Sequence, residues 1–347
     1  MSNQPPIEVP QGAIRLNTDS QRLEFFAQDR WYEMATETAS LFGGRVFFVA
    51  GGANKYTQSF NIVTGGTAVD ISIAQLYGVH SPAAVNSKTR GVTMGGRNNP
   101  SPYAERNVIQ FFELASQGVD MADFGDLTES KGRNSGHGDN TRGISFGRQN
   151  GASNIIEFIT IPSKGNGTDF GDLTVAREMG AAFGNRTRGC YAGGNTPGDN
   201  RVNTVDYVTI QSLGNAVDFG DEQSTVYSRG ASSNSTRGVL SGGYGTPNDK
   251  LMELFTIPTL GNGVDFGELN RGGFGRSGTS SPITGLHASG TSGSTAIEKI
   301  TLATLGDAQD FGDLVEAATY GRGMLSLIHI SEPTRPLYIS YAVFCLK

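Results

Sequence analysis

The sequence predicts an all-β fold, a β-propeller of four-stranded blades, and three observations support this prediction. The tripeptide Asp-Phe-Gly occurs five times, beginning at Asp123, Asp169, Asp218, Asp265 and Asp310. These copies and a degenerate one at Asp70 are spaced by 53, 46, 49, 47 and 45 residues, the length of four short strands with their turns. Glycine accounts for 49 of 347 residues and charged residues for only 17%, which is typical of short strands joined by tight turns.

Each repeat contains the same four segments in the same order, and we interpret them as strands one to four of a blade. A small-residue stretch such as 174–185 comes first, and a Thr-Arg-Gly segment ending in Gly-Gly follows, as in Thr187–Gly194. After a variable polar loop comes a β-rich run such as Asn154–Ile161, and a Gly-Asn turn then leads to Asp-Phe-Gly. The β-rich run is apolar on both faces, which indicates a strand that is packed on two sides.

Six complete blades are predicted, and residues 315–324 are interpreted as the first strand of a truncated seventh blade. The complete blades cover residues 35–76, 77–127, 128–173, 174–222, 223–269 and 270–314. The ring is therefore expected to be open. We expect one phenylalanine per repeat to be buried and to supply much of the cohesion between blades, namely Phe124, Phe170, Phe219, Phe266 and Phe311.

The arginine of each Thr-Arg-Gly segment is predicted to pair with a polar residue of the third strand. The midpoint of each pair falls in the Gly-Gly loop, so an antiparallel hairpin would place the two residues side by side. The predicted pairs are Arg90 with Gln110, Arg142 with Glu157, Arg188 with Asp206, and Arg237 with Glu253. We interpret this ladder as structural rather than catalytic.

The repeat resembles the kelch repeat. The shared features are the Gly-Gly doublet that closes the second strand, an aromatic residue that opens the fourth, and an arginine just after it. The resemblance covers about Trp31–Met324. Kelch repeats usually have tryptophan at the aromatic position, where this chain has phenylalanine; the arginine is present as Arg177 and, less regularly, as Arg133, Arg229 and Arg322. The resemblance implies a propeller that serves as a scaffold for binding proteins or carbohydrates.

Residues 1–34 are predicted to form a short β-hairpin module, with strands at Ala13–Leu16, Arg22–Phe26 and Trp31–Met34. The pattern G-x-I-R-x-N-T-D-x-x-x-L-E-x-F, followed by Trp31, resembles short β-modules in the fibre proteins of tailed phages. The Asp-Phe-Gly repeat is likewise similar to that of marine-phage virion proteins. These resemblances imply a module for attachment or homo-oligomerisation. The alternative is a plain hairpin packed on the propeller, which takes up residues 35–324.

The last segment, residues 325–347, is expected to be foreign to the natural protein. Residues Leu325–Arg335 resemble the translation of a transposase-type sequencing adapter, and Ile339–Leu346 fit the primer sequence that follows such an adapter. The natural C-terminus is then missing. His329 and Cys345 would carry no functional information.

Composition and motifs exclude several functions. A net charge of −6 disfavours nucleic-acid binding, and the chain has no run of about 18 apolar residues for membrane insertion. Five copies of Asp-Phe-Gly indicate a structural motif rather than the metal-binding loop of a kinase. Cys190 occupies a position held by Val, Ile or Leu in other repeats and is interpreted as a core residue. We predict no enzyme activity, no catalytic residue and no cofactor.

Metal binding is also disfavoured. His80, His137 and His287 lack the spacing of metal ligands. Two loops, His137–Asn140 and Thr196–Asn203, contain oxygen ligands of the kind that calcium prefers, but ordinary turn chemistry accounts for them.

The loops after the Gly-Gly doublets vary most between repeats, and recognition usually lies in variable loops on a rigid scaffold. The candidate ligand contacts are Asn98, Tyr103, Asn195, Asp199, Tyr244 and Asn248. The alternative is a solvated rim with no ligand. The leading hypothesis is a non-enzymatic phage virion or tail protein whose partners are other virion proteins, or a protein or glycan of the host surface. The alternatives are a bacterial kelch-type protein that binds proteins or carbohydrates, and an enzyme whose site lies in a missing C-terminus.

Overall fold

The protein is described by a computed structural model, which divides the chain into two compact units, residues 1–41 and 42–347. The described residues are 9–17, 22–28, 30–33, 44–49, 56–98, 104–115, 118–148, 153–245, 249–288, 290 and 293–326. Their regular elements are all β-strands, so the all-β prediction is confirmed.

The first unit contains a three-stranded antiparallel sheet, β1 (Ile14–Asn17), β2 (Arg22–Ala27) and β3 (Arg30–Glu33), in that order. All three strands predicted for this module are therefore present, with ends that differ from the prediction by at most one residue. Phe26 packs edge-on against Trp31, with 5.3 Å between ring centroids. The guanidinium of Arg15 lies 4.1 Å from the centroid of the Trp31 ring, so this small sheet is held partly by cation–π attraction.

The second unit is a β-propeller of six four-stranded antiparallel blades. From the central channel outward, blade 1 contains β31 (Arg322–Ser326), β4 (Arg45–Val49), β5 (Tyr56–Asn61) and β6 (Val69–Ala74). Blade 2 contains β8 (Ala83–Asn86), β9 (Arg90–Met94), β11 (Arg106–Glu113) and β12 (Ala122–Lys131). Blade 3 contains β13 (Ser135–Gly138), β14 (Arg142–Phe146), β15 (Ile155–Thr160) and β16 (Thr168–Asp172).

The remaining three blades repeat this order. Blade 4 contains β17 (Ala181–Gly184), β18 (Arg188–Ala192), β21 (Thr204–Thr209) and β22 (Val217–Asp221). Blade 5 contains β23 (Gly230–Ser233), β24 (Arg237–Ser241), β25 (Leu251–Thr256) and β26 (Val264–Glu268). Blade 6 contains β27 (Ser277–Ser280), β28 (Thr284–Ala288), β29 (Ala296–Thr301) and β30 (Gln309–Asp313). Two short ladders join β7 (Val79–His80) to β10 (Arg97–Asn98) and β19 (Asn195–Thr196) to β20 (Asn200–Arg201).

The ring is closed, and the predicted truncated seventh blade is not found in the described residues. The segment assigned to that blade forms β31, which pairs antiparallel with β4 and is the innermost strand of blade 1. The predicted first blade, 35–76, supplies only three strands of its sheet. In the sequence, β31 follows blade 6. In the structure its backbone hydrogen-bonding groups pair with the edge of β4 that β5 leaves free, so neither strand is left as an open edge. The two ends of the propeller are thereby joined in one sheet.

The Asp-Phe-Gly motif is the surface on which the next blade docks. In blade 3, the backbone N–H of Gly214 in the following blade donates to the carbonyl of Phe170 at 2.9 Å. The side chain of Asn215 accepts a hydrogen bond from the N–H of Asp172 at 3.0 Å. Gly171 lies between these contacts with φ of 144°, and a Cβ on it would approach the Gly214 oxygen to 2.4 Å. The motif therefore needs glycine because the neighbouring backbone comes so close.

The phenylalanine of this motif packs between blades, as predicted, and the structure shows that it contacts the third strand of the following blade. Phe170 shares a core cluster with Val208 and Ile210, and Phe219 shares one with Phe255 and Ile257. The rings of the motif are 2–4% exposed in four blades, at Phe124, Phe170, Phe219 and Phe266. In the fifth copy Phe311 is only partly buried, and it packs against the cluster that joins blade 6 to blade 1.

The predicted arginine ladder is wrong in its partners. The third-strand carboxylates are fully buried, but each binds a cation from the segment that leads into its own blade. The observed pairs are Lys131–Glu157 at 3.1 Å, Arg177–Asp206 at 3.0 Å, Arg229–Glu253 at 3.0 Å and Arg276–Glu298 at 2.5 Å. In blade 2, Gln110 accepts a hydrogen bond from the N–H of Tyr77 at 2.8 Å instead of contacting Arg90. These contacts anchor each crossover to the sheet that it enters.

The Thr-Arg-Gly arginines join neighbouring blades. Arg142 lies opposite Thr160, three positions beyond Glu157, and this register separates it from the predicted partner. Its guanidinium donates instead to the carbonyl of Ile210 in the next blade at 3.0 Å. Equivalent bonds to carbonyls of the next blade are made by Arg90 to Ile161, Arg188 to Ile257 and Arg237 to Leu302. These arginines are structural and join neighbouring blades, and Arg90 also binds Glu113 of its own blade at 2.8 Å.

Candidate functional site

The loops that follow the Gly-Gly doublets share one face of the propeller with the crossovers between blades, and we call this the loop face. Backbone bridges prove the juxtaposition, because Tyr244 pairs with Tyr227 and Asn195 pairs with Glu178. The opposite face carries the turns between first and second strands, and we call it the turn face. The predicted contacts Asn98, Asn195, Asp199 and Tyr244 are thus placed on the loop face. Tyr103 and Asn248 lie outside the described residues.

Three of these predicted contacts hold the loops in shape. Asn98 accepts a hydrogen bond from Nε of Arg106 at 2.6 Å. Asn195 is 8% exposed, and its amide donates to the carboxylate of Asp199 at 2.6 Å. Asp199 itself has φ of 64°, as expected for a tight turn. Their polar groups are therefore already engaged within their own blades, and they are weak candidates for ligand binding.

Tyr244 differs, because it belongs to a chain of aromatic rings that we call the aromatic arc: Tyr227, Tyr244, Phe274 and Tyr320. Ring centroids are 5.2 Å apart for Tyr227 and Tyr244, 5.1 Å for Tyr244 and Phe274, and 6.3 Å for Phe274 and Tyr320. The guanidinium of Arg201 lies 5.1 Å from the ring of Tyr244. Tyr244 is 43% exposed, so the arc presents an aromatic and cationic surface to solvent.

Sequence reasoning identified one member of the arc and missed three. Tyr227, Phe274 and Tyr320 lie in the crossovers that lead into blades 5, 6 and 1. Each is separated from Tyr244 along the chain, and only closure of the ring brings Tyr320 to the others. The sequence did contain a pattern that could have identified them, because an aromatic residue stands directly before glycine or serine in each of these three crossovers.

The turn face contains a cavity of about 820 Å³ at the mouth of the central channel. Its polar groups are engaged between neighbouring blades. Asn86 donates to the carbonyl of Leu325 at 2.9 Å, and Asn185 donates to that of Ser235 at 2.9 Å. His137 lies 3.0 Å from the carbonyl oxygen of Asn185 through Nε2. These polar groups of the mouth are therefore satisfied by neighbouring blades, and no Phe, Tyr or Trp lines the cavity.

The histidines and cysteine have structural surroundings. His287 is fully buried between blades 5 and 6, with Nε2 3.0 Å from Oγ of Ser232 and Nδ1 2.6 Å from Oγ of Ser241. Burial, with the nearby charge of Arg276, lowers the pKa of His287 to about 3, so the ring is neutral near pH 7. Cys190 is fully buried in β18, as predicted, and burial raises its pKa to about 12. Asp139 in the first candidate calcium loop accepts hydrogen bonds from Thr141 and Arg142.

In the part of the chain that the structure describes, no three His, Cys, Asp or Glu side chains are grouped so that they could hold a metal ion. The same residues contain no helix long and apolar enough to cross a membrane. The fold defines the chain as a six-bladed β-propeller. No protein-family model and no curated protein matches the sequence.

A buried acid in blade 5 gives the propeller a testable pH dependence. Arg229 contacts two carboxylates, Glu253 at 3.0 Å and Glu222 at 3.6 Å. Burial raises the pKa of Glu222 to about 8, while Arg229 lowers it and the charge of Glu253 raises it further. One arginine thus neutralises one of the two acids, and Glu222 is mainly protonated at neutral pH.

We expect the wild-type protein to lose roughly 1–2 kcal/mol of unfolding free energy between pH 7 and pH 9 through Glu222. The folded pKa exceeds the unfolded one, so this contribution is complete below about pH 4.5 and is lost as the pH rises through about 8. Glu222→Gln keeps the shape of the protonated acid and should remove this loss. Urea unfolding at pH 7 and pH 9 gives the change in unfolding free energy for each protein. An equal change in the wild-type protein and in Glu222→Gln would contradict the assignment.

Proposed function

We propose that this chain is a non-enzymatic binding scaffold of a phage virion or tail, and that its loop face recognises a glycan of the host surface. The aromatic arc carries this proposal. Sugar rings present C–H groups that pack on the faces of aromatic rings, and Tyr and Trp combine such a face with a polar group. Tyr244 offers an exposed ring for this purpose, and Arg201 beside it offers donors for hydroxyl or carboxylate groups.

The arc is suited to binding because it is supported by rigid elements. Tyr244 exchanges two backbone hydrogen bonds with Tyr227, of 2.9 and 3.3 Å. It directly follows the Gly-Gly doublet at the end of β24, and Tyr227 precedes β23 of the same blade. The rings are thus held before any ligand arrives, which lowers the entropy cost of binding.

The virion part of the proposal draws on the N-terminal module. Its sequence pattern resembles modules of phage fibre proteins, and its β1–β3 sheet is a compact unit of its own. We propose that this module attaches the chain to other virion proteins or assembles it into a homo-oligomer. Genes for capsid, baseplate or terminase proteins beside the coding gene would support a virion role, and their absence would favour a bacterial kelch-type binding protein.

Glycan binding is tested with an array of bacterial surface polysaccharides. We expect the wild-type protein to bind at least one class of glycan, and Tyr244→Ala to weaken that binding about 10- to 30-fold, as for a central binding residue. Tyr77→Ala is the matched control, since Tyr77 is 45% exposed, in a crossover that contributes no ring to the arc. Absence of any bound glycan, or an equal loss in both variants, would refute the glycan proposal.

A further inference from the structure

A small cavity lies on the propeller axis at the loop face, at the opposite end of the channel from the wide mouth. Its volume is about 20 Å³, the space that one water molecule or one monatomic ion needs. Four arginines line it, Arg133, Arg229, Arg276 and Arg322. Such a convergence of cations is costly unless each charge is neutralised.

Three of the four arginines have a carboxylate partner. Arg276 binds Glu298 at 2.5 Å, and Arg229 binds Glu253 at 3.0 Å. Arg133 lies 3.5 Å from Glu178, whose pKa is raised by burial. The contact of Arg133 with Glu178 is thus the longest of the three ion pairs.

Arg322 has no carboxylate partner among the described residues. It donates to the backbone carbonyl of Gly321 at 3.0 Å and to that of Asn134 at 2.9 Å. Its Nε is buried and donates to no group of the described chain. Burial lowers the pKa of Arg322 to about 10, so the guanidinium still carries its charge at neutral pH. One full positive charge is left uncompensated at the cavity.

The position of Arg322 is unique in the ring. The first residue of each innermost strand is small in the other five blades, namely Ala83, Ser135, Ala181, Gly230 and Ser277. Only the closing strand β31 places a long cation there. Its bond to Asn134, just before β13, reaches from blade 1 past blade 2 to blade 3, so the guanidinium lies across the channel.

We propose that this axial cavity binds one monovalent inorganic anion, of the size of chloride, with Arg322 as its main ligand. The unpaired charge calls for an anion of charge −1, and a cavity of about 20 Å³ accommodates one small ion. Arg133 supplies a second cationic group at the cavity wall. The anion would neutralise the closing strand and so stabilise the closed ring.

Chloride is the probe for the first experiment. Sodium gluconate is replaced stepwise by sodium chloride at constant ionic strength, and the melting temperature is followed. We expect the wild-type Tm to rise with the logarithm of the chloride concentration above the dissociation constant, at the rate expected for one bound ion per chain. Arg322→Gln should remove the dependence. Arg188→Gln is the matched control. Arg188 also donates to backbone carbonyls, those of Ile257 and Pro258, but it does not line the cavity. This variant should keep the chloride dependence.

Crystals of the wild-type protein grown in bromide provide a test that does not need a folded variant. We expect one anomalous peak on the axis, within hydrogen-bonding distance of the Arg322 guanidinium. A wild-type Tm that is insensitive to chloride, an unchanged dependence in Arg322→Gln, or a cavity that holds only water in the bromide crystal would overturn the proposal.

Discussion

Removal of residues 322–347 should abolish cooperative folding of the propeller, whereas removal of residues 327–347 alone should leave its unfolding transition in place. The difference between the two variants is the closing strand β31. Five of its residues pair with β4, from Arg322 opposite Val49 to Ser326 opposite Arg45. Without this strand, β4 becomes an exposed edge and blade 1 retains three strands.

The packing at the seam makes this loss severe. Met324 is 1% exposed and belongs to the cluster that joins blade 1 to blade 2 through Phe112. Leu325 is 4% exposed and belongs to the cluster that joins blade 1 to blade 6 through Leu286. Each buried side chain of this size contributes about 1.5–3 kcal/mol of transfer free energy, and the backbone bonds of the strand add to it.

Thermal unfolding followed by circular dichroism, together with hydrogen exchange of blades 1 and 6, measures the outcome. A shorter chain that still unfolds in one sharp transition after loss of 322–347 would contradict the closure. The longer variant also tests the origin of the last segment. If residues 325–347 are foreign, as the resemblance to a sequencing adapter predicts, the part of that segment beyond β31, residues 327–347, should contribute no stability.

The closure of the ring by β31 could not be predicted from the repeat pattern in the sequence. The order of strands within a blade follows from the repeat, because each segment has its own composition and position. The pairing of β31 with β4 joins residues about 270 positions apart, and no local pattern indicates which blade receives the last strand. Residues 35–76 were expected to form a four-stranded blade because the other repeats each contain four strand segments. Only β4, β5 and β6 of blade 1 precede Leu76, and β31 supplies the fourth strand.

The ladder of buried charges shows a second limit. Sequence symmetry about the Gly-Gly loop placed Arg142 opposite Glu157, but the observed register places it opposite Thr160. The acid was identified correctly as a partner in an ion pair, since a buried carboxylate needs one. Its cation, Lys131, ends β12 of the preceding blade, and its contact with Glu157 is a feature of the assembled ring. The aromatic arc was missed for the same reason.

Phe219→Ala should lower the free energy of unfolding by about 3–5 kcal/mol, the usual cost of removing a large aromatic side chain from a core. The ring of Phe219 is 3% exposed. It lies 6.0 Å from the ring of Tyr207 in its own blade and 6.1 Å from the ring of Phe255 in the next, both edge-on. Its removal would leave a cavity between blades 4 and 5 that these rings can fill only in part.

Phe311→Ala is the matched control, because the motif and the strand position are the same while the ring is only partly buried. Phe311 has a single neighbouring ring within the described blades, that of Phe60 at 5.7 Å. We therefore expect a smaller loss for Phe311→Ala, and urea unfolding of the two variants gives the comparison. Equal losses would mean that the phenylalanines act through strand formation and not through packing between blades, since both variants change the same position of the fourth strand.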